Sequence, residues 1–327
     1  MELFEQLKFK IVGKDLKIVF PEGNDARIQD AAVRLAADDL VQPILLGKVA
    51  DVEATAAEKG YDLTGITIID PSAYDAAKMT QMIDALVERR KGKTDAETAQ
   101  KWLTNDVNYF GTMLVYLGEA DGMVSGAAHP TSDTVRPALQ IIKTAPGQKR
   151  ISGSFLLQKG DERLLFADAA VNIDVDAQTM AEIAIQSAQM AKVFDIEPRV
   201  AMLSFSTKGS AKHETVDKVV EATRLAKELA PELADQIDGE LQFDAAFVPE
   251  VGSAKAPESQ VAGKANVFIF PSLEAGNIGY KIAQRLGGYE AFGPLLQGLA
   301  KPVNDLSRGA SEEDVYKVAI ITAAQAL

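Results

Sequence analysis

Short apolar runs alternate with long amphipathic stretches through most of this sequence. "LKIVFPEG" (16–23) predicts a buried strand, and the helical pattern that follows places Ile28 and Leu35 on one face. The same strand signal returns in five later segments: "PILLG" (43–47), "GITIID" (65–70), "DGMVSG" (121–126), "RVAMLSFS" (199–206) and "ANVFIFP" (265–271). Such alternation is typical of α/β folds in which helices cover both faces of parallel sheets.

The pattern changes between residues 145 and 168. "APGQKRISGSFLLQKGDERLLFADA" predicts a hairpin with strands at 151–157 and 163–168. A chain of 327 residues also exceeds the roughly 100 to 200 residues of a typical domain. We therefore predict two α/β domains with a boundary near residue 145 and no flexible linker.

Composition excludes several classes of function. With 34 basic and 47 acidic residues the net charge is −13, which disfavours nucleic acids and anionic membranes as partners. Anionic substrates would need a local basic site. The N-terminus lacks a signal-peptide pattern and no apolar run approaches ~18 residues, so we expect a soluble, cytoplasmic protein.

Metal and nucleotide sites have little support. The chain has no cysteine and two histidines, which excludes disulfides, thiolate nucleophiles and most zinc sites. Asp174 and Asp176 are interpreted as helix caps, so no metal is predicted. There is no G-x-G-x-x-G motif, and "KGKT" (91–94) lacks the first glycine of a P-loop.

A polar loop follows the strand at 121–126, in "MVSGAAHPTSDTVRPALQIIK" (123–143). Ligands of open α/β sheets bind at this carboxyl end of strands. Pro137 fits the first position of a helix, and Arg136, as a residue before proline, is predicted to be non-helical and free to enter the loop. Backbone amides, hydroxyls and Arg136 would then form a phosphate or carboxylate receptor. The alternative is a helix capped by Thr131 or Ser132, with Arg136 on the surface.

Three further residues have open interpretations. His129 could contact a ligand in this loop or only form hydrogen bonds within it. Ser206, in "LSFSTKGSAKHE" (203–214), belongs either to a second anion loop or to a plain connection, and the connection is favoured. Lys281 follows the glycine-rich start of the helix in "SLEAGNIGYKIAQRLGG" (272–288), where a ligand role is plausible.

The segment "NDLSRGASEED" (304–314) combines a polar turn with three acids at a helix start. Ser311 and Asp314 have the spacing of a capping box, and acids in a first turn complement the helix dipole. Capping accounts for the acids but not for Ser307 and Arg308. From the pattern alone, a cap is favoured over a catalytic site.

Several long motifs resemble the phosphate acetyltransferases, or phosphotransacetylases. They are "SGAAHPTSDTVRPALQIIKTAPG", "EPRVAMLSFSTKGSAK", "QFDAAFVPEVGSAKAPESQVAGKANVFIFPSLEAGNIGYKIAQRL" and "GLAKPVNDLSRGASEEDV". The resemblance implies reversible acetyl transfer between coenzyme A and inorganic phosphate, with coenzyme A as a substrate and no tightly bound cofactor. It also implies two domains, 1–145 plus 300–327 and 146–299, with a cleft between them as in the isocitrate and isopropylmalate dehydrogenases, and a homodimer formed through the second domain.

The resemblance also assigns roles to individual residues. Asp314 matches the base for the coenzyme A thiol, Ser307 would position that thiol, and Arg308 would stabilise negative charge. Arg136 matches an arginine implicated in substrate binding. The family has a single arginine where this chain reads "VERRKGK", so Arg89 or Arg90 could be the functional one, with Arg90 preferred. Ser125, His129, Thr131, Ser206 and Lys281 complete the predicted substrate-binding set.

Without a cysteine to carry an acyl group, direct thiolate attack in a ternary complex is the simpler mechanism. The "KPVNDLSRG" block favours acetyl over longer acyl groups. Two other classes stay open at this point: a dehydrogenase on the same fold, and a coenzyme A-binding module without turnover. A thioester assay with acetyl and butyryl phosphate would separate them.

Overall fold

The computed structural model describes residues 2–327. The chain folds as two compact units, which are Met1–Pro146 with Leu299–Leu327 and Gly147–Gly298. The described residues form eleven strands: β1 (Lys17–Phe20), β2 (Gln42–Leu46), β3 (Thr67–Ile69), β4 (Gly122–Ser125), β5 (Ser152–Lys159), β6 (Glu162–Ala167), β7 (Val200–Leu203), β8 (Ile237–Leu241), β9 (Val267–Ile269), β10 (Glu290–Gln297) and β11 (Val303–Asp305).

The described residues also form thirteen α-helices. They are α1 (Leu3–Ile11), α2 (Ala26–Ala37), α3 (Val49–Lys59), α4 (Ala76–Arg90), α5 (Ala96–Asn105), α6 (Val107–Leu117), α7 (Thr131–Pro137), α8 (Ala177–Val193), α9 (Glu214–Leu229), α10 (Phe243–Phe247), α11 (Pro249–Lys255), α12 (Leu273–Arg285) and α13 (Glu312–Gln325). Short 3-10 segments lie at Pro71–Ala73 and Pro231–Gln236. No helix within residues 2–327 is long and apolar enough to span a membrane.

The first unit is built on a five-stranded sheet in the order β11-β4-β1-β2-β3. All neighbouring strands are parallel, and Asp305 of β11 is in register with Ser125 of β4. α6 packs its buried Phe110 and Leu114 into a core shared with Met123 of β4. The apolar runs of the sequence are therefore the central strands, since a parallel sheet is covered on both faces.

The second unit is built on a six-stranded sheet in the order β10-β5-β6-β9-β7-β8. β5 and β6 form the antiparallel hairpin expected from the sequence, β10 pairs antiparallel with β5, and the other neighbours are parallel. The predicted α/β fold class is confirmed by these two sheets.

The interpretation of Pro137 as the first residue of a helix is wrong. α7 begins at Thr131, after Pro130, so Arg136 and Pro137 end this helix rather than precede one. Proline cannot donate to the helical ladder, and the chain continues as a π-helical segment at Ala138–Ile142, closed by the amide of Lys143 on the carbonyl of Ala138. Arg136 therefore has helical geometry. Neither Thr131 nor Ser132 caps this helix.

Candidate active site

Three neighbouring strands of the first unit, β1, β4 and β11, bring their carboxyl ends to one edge of the sheet. Each is followed by a loop and a helix, so polar residues distant in sequence meet there. The Thr131 hydroxyl donates to Oδ2 of Asp305 at 2.6 Å. Gly126 lies against the same carboxyl group, because an added Cβ would come within 2.5 Å of Asp305 Oδ1.

The Glu22 carboxylate, just after β1, organises the loop after β4. It accepts hydrogen bonds from the backbone amides of residues 126–129, at 2.8 to 3.2 Å, and it contacts Nδ1 of His129 at 2.8 Å. The side chain of Glu22 is 1% exposed. Burial opposes its ionisation, but the bonds from His129 and from the amides of Ala128 and His129 outweigh burial and hold the pKa of Glu22 below its ordinary value.

This contact corrects one expectation from the sequence. Backbone amides of the loop within 123–143 are predicted there to form part of a receptor for a ligand anion, yet those of residues 126–129 bind a carboxylate of the protein itself. Ser125 is also fully buried, and its hydroxyl donates to Oδ1 of Asn108 at 2.6 Å. Its contact with a substrate stays a prediction that this burial disfavours.

His129 presents one ring nitrogen to the protein and one to its surroundings. Nδ1 bonds Glu22, whereas Nε2 has no partner among the described residues, and the side chain is 36% exposed. The hydrogen bond and charge of Glu22, with smaller contributions from Asp106 and Asp133, raise the pKa of His129 against the opposing effect of burial. The imidazole is therefore oriented, stabilised in its charged form and available to a ligand.

Arg27 joins the three loops of this edge. Its guanidinium donates to Oδ1 and Oδ2 of Asp25, to the Ala127 carbonyl, and to the carbonyls of Arg308 and Ala310, at 2.7 to 3.0 Å. All five donors of the guanidinium are thus used within the protein. Arg27 fixes the backbone on both sides of Gly309 rather than presenting a free charge.

Asp305 is a buried carboxyl group with one oxygen unpaired. It is 1% exposed, and its Oδ1 has no hydrogen-bond partner among the described residues. Burial, together with the charge of Glu22, raises the pKa of Asp305 to about 6, although the hydrogen bond from Thr131 lowers it.

The predicted catalytic residues lie where the chain passes from β11 into α13. Ser311 and Asp314 form the capping box: the amide and hydroxyl of Ser311 both donate to Oδ2 of Asp314 at 2.9 Å, and the Asp314 amide donates to the Ser311 hydroxyl. These bonds leave Oδ1 of Asp314 for another partner. Ser307 is exposed, and among the described residues its hydroxyl accepts a single bond, of 3.3 Å, from the amide of Gly309.

The other two acids of this helix start have different surroundings. Glu313 forms an ion pair with Arg34 at 2.8 Å, and Arg34 lies over the ring of Tyr316. Glu312 is exposed in the same first turn.

The two adjacent arginines at the end of α4 have different environments. Arg89 donates to the carbonyls of Ile141 and Ile142 at 2.6 and 2.8 Å and lies over the Tyr116 ring, so its guanidinium holds the π-helical segment. Arg90 makes one weak bond, 3.4 Å to Thr94. Burial raises the pKa of Tyr109, and the charges of Arg136 and Arg90 both oppose that effect.

Further cations lie near Arg89 and Arg90. Burial and then the charges of Arg89, Lys91, Arg90 and Lys93 lower the pKa of Lys143. Arg136 is exposed and forms no ion pair with the described residues. This basic cluster, residues 89–93 with Lys143, is the local positive region that an acidic protein would need to bind anions.

Two predicted site residues belong to the second unit. The buried Ser206 donates to Oε1 of Glu240 at 2.8 Å and so holds its own loop. Lys281 is exposed in the third turn of α12 and donates to Asn277 at 2.8 Å. Their substrate contacts stay predictions. Within residues 2–327, no cluster of His, Asp and Glu side chains could hold a metal ion.

Sequence reasoning missed Glu22, Arg27 and Asp305 as site residues. The signal for Glu22 and Arg27 was their position after the first strand, in "PEGNDAR", at the edge where ligands of parallel sheets bind. Their partners lie about 100 and 280 positions away in the sequence, which no local pattern reveals.

Comparisons with known proteins agree with this architecture. A family model described as "Phosphate acetyl/butaryl transferase" matches residues 2–323. The chain is 60% identical over 326 residues to "Phosphate acetyltransferase" of Bacillus subtilis (strain 168), covering 100% of this chain and 99% of that protein.

Solved structures give the same result. A phosphotransacetylase from Streptococcus pyogenes superposes with a TM-score of 0.95 at 60% identity, over 99% of this chain and 98% of that one. A 4-hydroxythreonine-4-phosphate dehydrogenase from Klebsiella pneumoniae, at 11% identity and a TM-score of 0.57, shares the fold alone. The resemblance in the motifs is confirmed, and the chain belongs to the phosphate acetyl/butaryl transferase family.

Proposed function

We propose that this protein is a phosphate acetyltransferase, which catalyses acetyl-CoA + phosphate = acetyl phosphate + CoA. The observation that carries the proposal is the 60% identity to a phosphate acetyltransferase along the whole chain. The polar edge formed by the loops after β1, β4 and β11 supports it.

Asp314 is the proposed base for the coenzyme A thiol. The capping box uses only Oδ2 of Asp314, so Oδ1 can accept the thiol proton while the first turn of α13 keeps the carboxylate in place. A free thiol has a pKa near ~8.5, so a nearby base increases the reactive thiolate fraction.

Ser307 and Arg308 precede this base in the same turn. Ser307 would position the thiol, and Arg308 would stabilise the oxyanion formed when the thiolate attacks the acetyl carbonyl. The two carbonyl bonds from Arg27 support this assignment, because they hold the backbone at Arg308 and Ala310, directly after Ser307. Transfer would be direct, within a ternary complex, and no cofactor would remain bound.

Coenzyme A is a polyanion and needs cationic partners. We assign Arg136 and Arg90 to substrate binding, because Arg136 has no ion pair with the described residues and Arg90 has only one weak bond, whereas Arg89 is committed to backbone carbonyls. Ser125, His129, Thr131, Ser206 and Lys281 are retained as proposed substrate-binding residues. The metabolites involved also imply a cytoplasmic location.

A homodimer is the proposed assembly. An apolar stripe on α12, formed by Ile278, Ile282 and Leu286, is 52 to 84% exposed and adjoins an apolar groove of about 390 Å³. Exposed stripes of this kind are typical of protein interfaces.

Acetyl-CoA formation from acetyl phosphate and coenzyme A tests the proposed reaction. We expect turnover with acetyl phosphate and much slower turnover with butyryl phosphate, measured by any thioester assay. Folded protein that forms no acetyl-CoA in the presence of both substrates would contradict the proposal.

The role of Asp314 has a separate test. Asp314→Asn keeps an oxygen for the cap but removes the base, so kcat should fall about 100-fold or more while stability changes by about 1 kcal/mol at most. Glu312→Gln, one acid of the same turn, is the matched control and should retain activity. Equal turnover in wild type and Asp314→Asn would mean that capping is the only role of this residue.

A further inference from the structure

Expulsion of phosphate from acetyl phosphate requires a proton that the assigned residues do not supply. When the carbon–oxygen bond of the acetyl phosphate dianion breaks, the electron pair passes to the bridging oxygen, and without a proton the leaving group would be PO₄³⁻. Asp314 is no donor at the start of turnover, because it acts as the base for the thiol. A general acid is therefore needed near the loop of residues 307–310.

We propose that His129 is this general acid, oriented by the buried carboxylate of Glu22. The inference rests on the proposed acetyl transfer and adds a catalytic role to a residue so far assigned only to binding. Three structural observations support it.

The first observation is that the two ring nitrogens of His129 have different surroundings. Glu22 accepts from Nδ1 at 2.8 Å and also binds the amide of the same residue, so the ring plane and tautomer are fixed. Nε2 has no partner among residues 2–327 and belongs to a side chain that is 36% exposed. A carboxylate behind an imidazole whose other nitrogen is free is the arrangement of a proton donor.

The second observation is the charge around the imidazole. Glu22 from the loop after β1, Asp106 at the start of α6 and Asp133 of α7 all favour the imidazolium, and together they raise the pKa of His129. An imidazolium at this position can attract the phosphate dianion as well as protonate it.

The third observation is the position of the His129 loop. One guanidinium, that of Arg27, binds the carbonyl of Ala127 and the carbonyls of Arg308 and Ala310. Thr131, two residues after the histidine, binds Asp305 at the end of β11. The proton donor and the Ser307–Arg308 turn are thus held at one edge of one sheet.

The coenzyme A thiolate forms the carbon–sulfur bond, the carbon–oxygen bond to phosphate breaks, and the bridging oxygen takes the proton from Nε2, giving acetyl-CoA, HPO₄²⁻ and neutral His129. The proton taken by Asp314 from the thiol returns through solvent to recharge the imidazole. In the reverse direction, neutral His129 removes the proton of HPO₄²⁻ as phosphate attacks acetyl-CoA.

The kinetic test compares His129→Gln with His213→Asn. His213 caps the start of α9 in the second unit, where asparagine preserves the cap, so this variant should behave as wild type. His129→Gln should lower kcat by about 100-fold or more, with the KM for coenzyme A changed less than about threefold. It should also lose the alkaline limb of the kcat profile that wild type shows as His129 deprotonates.

Glu22→Gln provides a second variant. Loss of the carboxylate should displace the alkaline limb to lower pH without abolishing it, an effect that a merely structural role would not produce. Wild-type turnover together with an unchanged pH profile in His129→Gln would overturn the inference. Absence of wild-type turnover would instead overturn the proposed function.

A binding measurement is independent of whether these variants fold. With only two histidines in the chain, His213→Asn leaves His129 as the single imidazole for NMR titration. Inorganic phosphate should raise the pKa of His129 in this protein and shift its Nε2 signal. A titration curve that is the same with and without saturating phosphate would contradict contact between Nε2 and phosphate.

Discussion

At the scale of single residues, ionisation of the Asp305 carboxyl group destabilises the folded protein, and the neighbouring residues do not compensate for it. The carboxyl group is buried, one oxygen lacks a partner among the described residues, and its pKa is raised from 3.8 to about 6. The folded protein therefore retains a proton between about pH 4 and 6 that the unfolded chain releases. Folding stability falls as pH rises through this window, and the loss is complete above it.

Asp305→Asn should remove this destabilisation. A pKa raised from 3.8 to about 6 corresponds to roughly 3 kcal/mol, so we expect the variant to be more stable than wild type by about 3 kcal/mol at pH 7.5 and about equally stable near pH 3. Urea unfolding at both pH values measures the difference. Asp84→Asn, at an exposed position of α4, is the control. A stability difference that does not vary with pH would contradict the ionisation argument.

We expect Arg89 to have a structural role and the neighbouring Arg90 to bind substrate. Arg89→Gln breaks two bonds to backbone carbonyls and should lower stability by about 1 to 3 kcal/mol, with little change in the KM for coenzyme A. Arg90→Gln should raise that KM about tenfold and leave the melting temperature nearly unchanged, since it loses only a 3.4 Å contact. The reverse pattern would assign the substrate to Arg89.

At the scale of secondary-structure elements, the loops after β1, β4 and β11 act together through Arg27. Its guanidinium provides bonds to each loop, at Asp25, Ala127 and the two carbonyls flanking Gly309. Removal of this side chain frees the carbonyls of Arg308 and Ala310 without touching the side chain of Ser307 or Arg308.

Arg27→Ala should therefore lower kcat by about tenfold or more, a loss of roughly 1.4 kcal/mol in transition-state stabilisation. Lysine should restore little, because one ammonium cannot supply five donors in a plane. Added guanidinium chloride at millimolar concentration should partly restore kcat, and ammonium chloride should not. No rescue in a folded variant would mean that Arg27 stabilises the fold without positioning the turn.

The elements themselves were largely predictable from sequence, whereas their contacts were not. Periodicity and β-branched runs predict β1, β4 and the β5–β6 hairpin because sheet burial depends on local pattern. The S-x-x-D spacing likewise predicts the capping box at Ser311. Two other features depend instead on tertiary contacts. They are the hydrogen bonds from the amides of residues 126–129 to Glu22 and the helical geometry of Arg136. Family motifs supplied the roles of Ser307, Arg308 and Asp314, which stay predictions.

At the scale of the whole molecule, the net charge of the protein has the same sign as the charge of its proposed substrates. A net charge of −13 repels anions at long range, while the cluster at residues 89–93 with Lys143 attracts them locally. Screening by salt weakens both effects. Local positive charge is therefore concentrated where we place coenzyme A, and the rest of the surface favours solubility.

The proposed homodimer makes a prediction at this scale. Ile278, Ile282 and Leu286 recur every four residues on α12 and just past its end, so they form one exposed apolar face of the second unit beside the groove lined by Phe243 and Tyr289. Burying this face against a second copy would remove apolar surface from water, worth roughly 25 cal/mol per Å².

Ile282→Glu should place a charge in that interface and convert dimer to monomer at micromolar concentration, measured by sedimentation equilibrium. Ile282 is 52% exposed in the single chain, so the variant should keep its fold and its circular dichroism spectrum. Gln284→Glu adds the same charge on the same helix outside the stripe and should remain dimeric. A wild-type monomer, or a dimer unaffected by Ile282→Glu, would show that another surface or no surface mediates assembly.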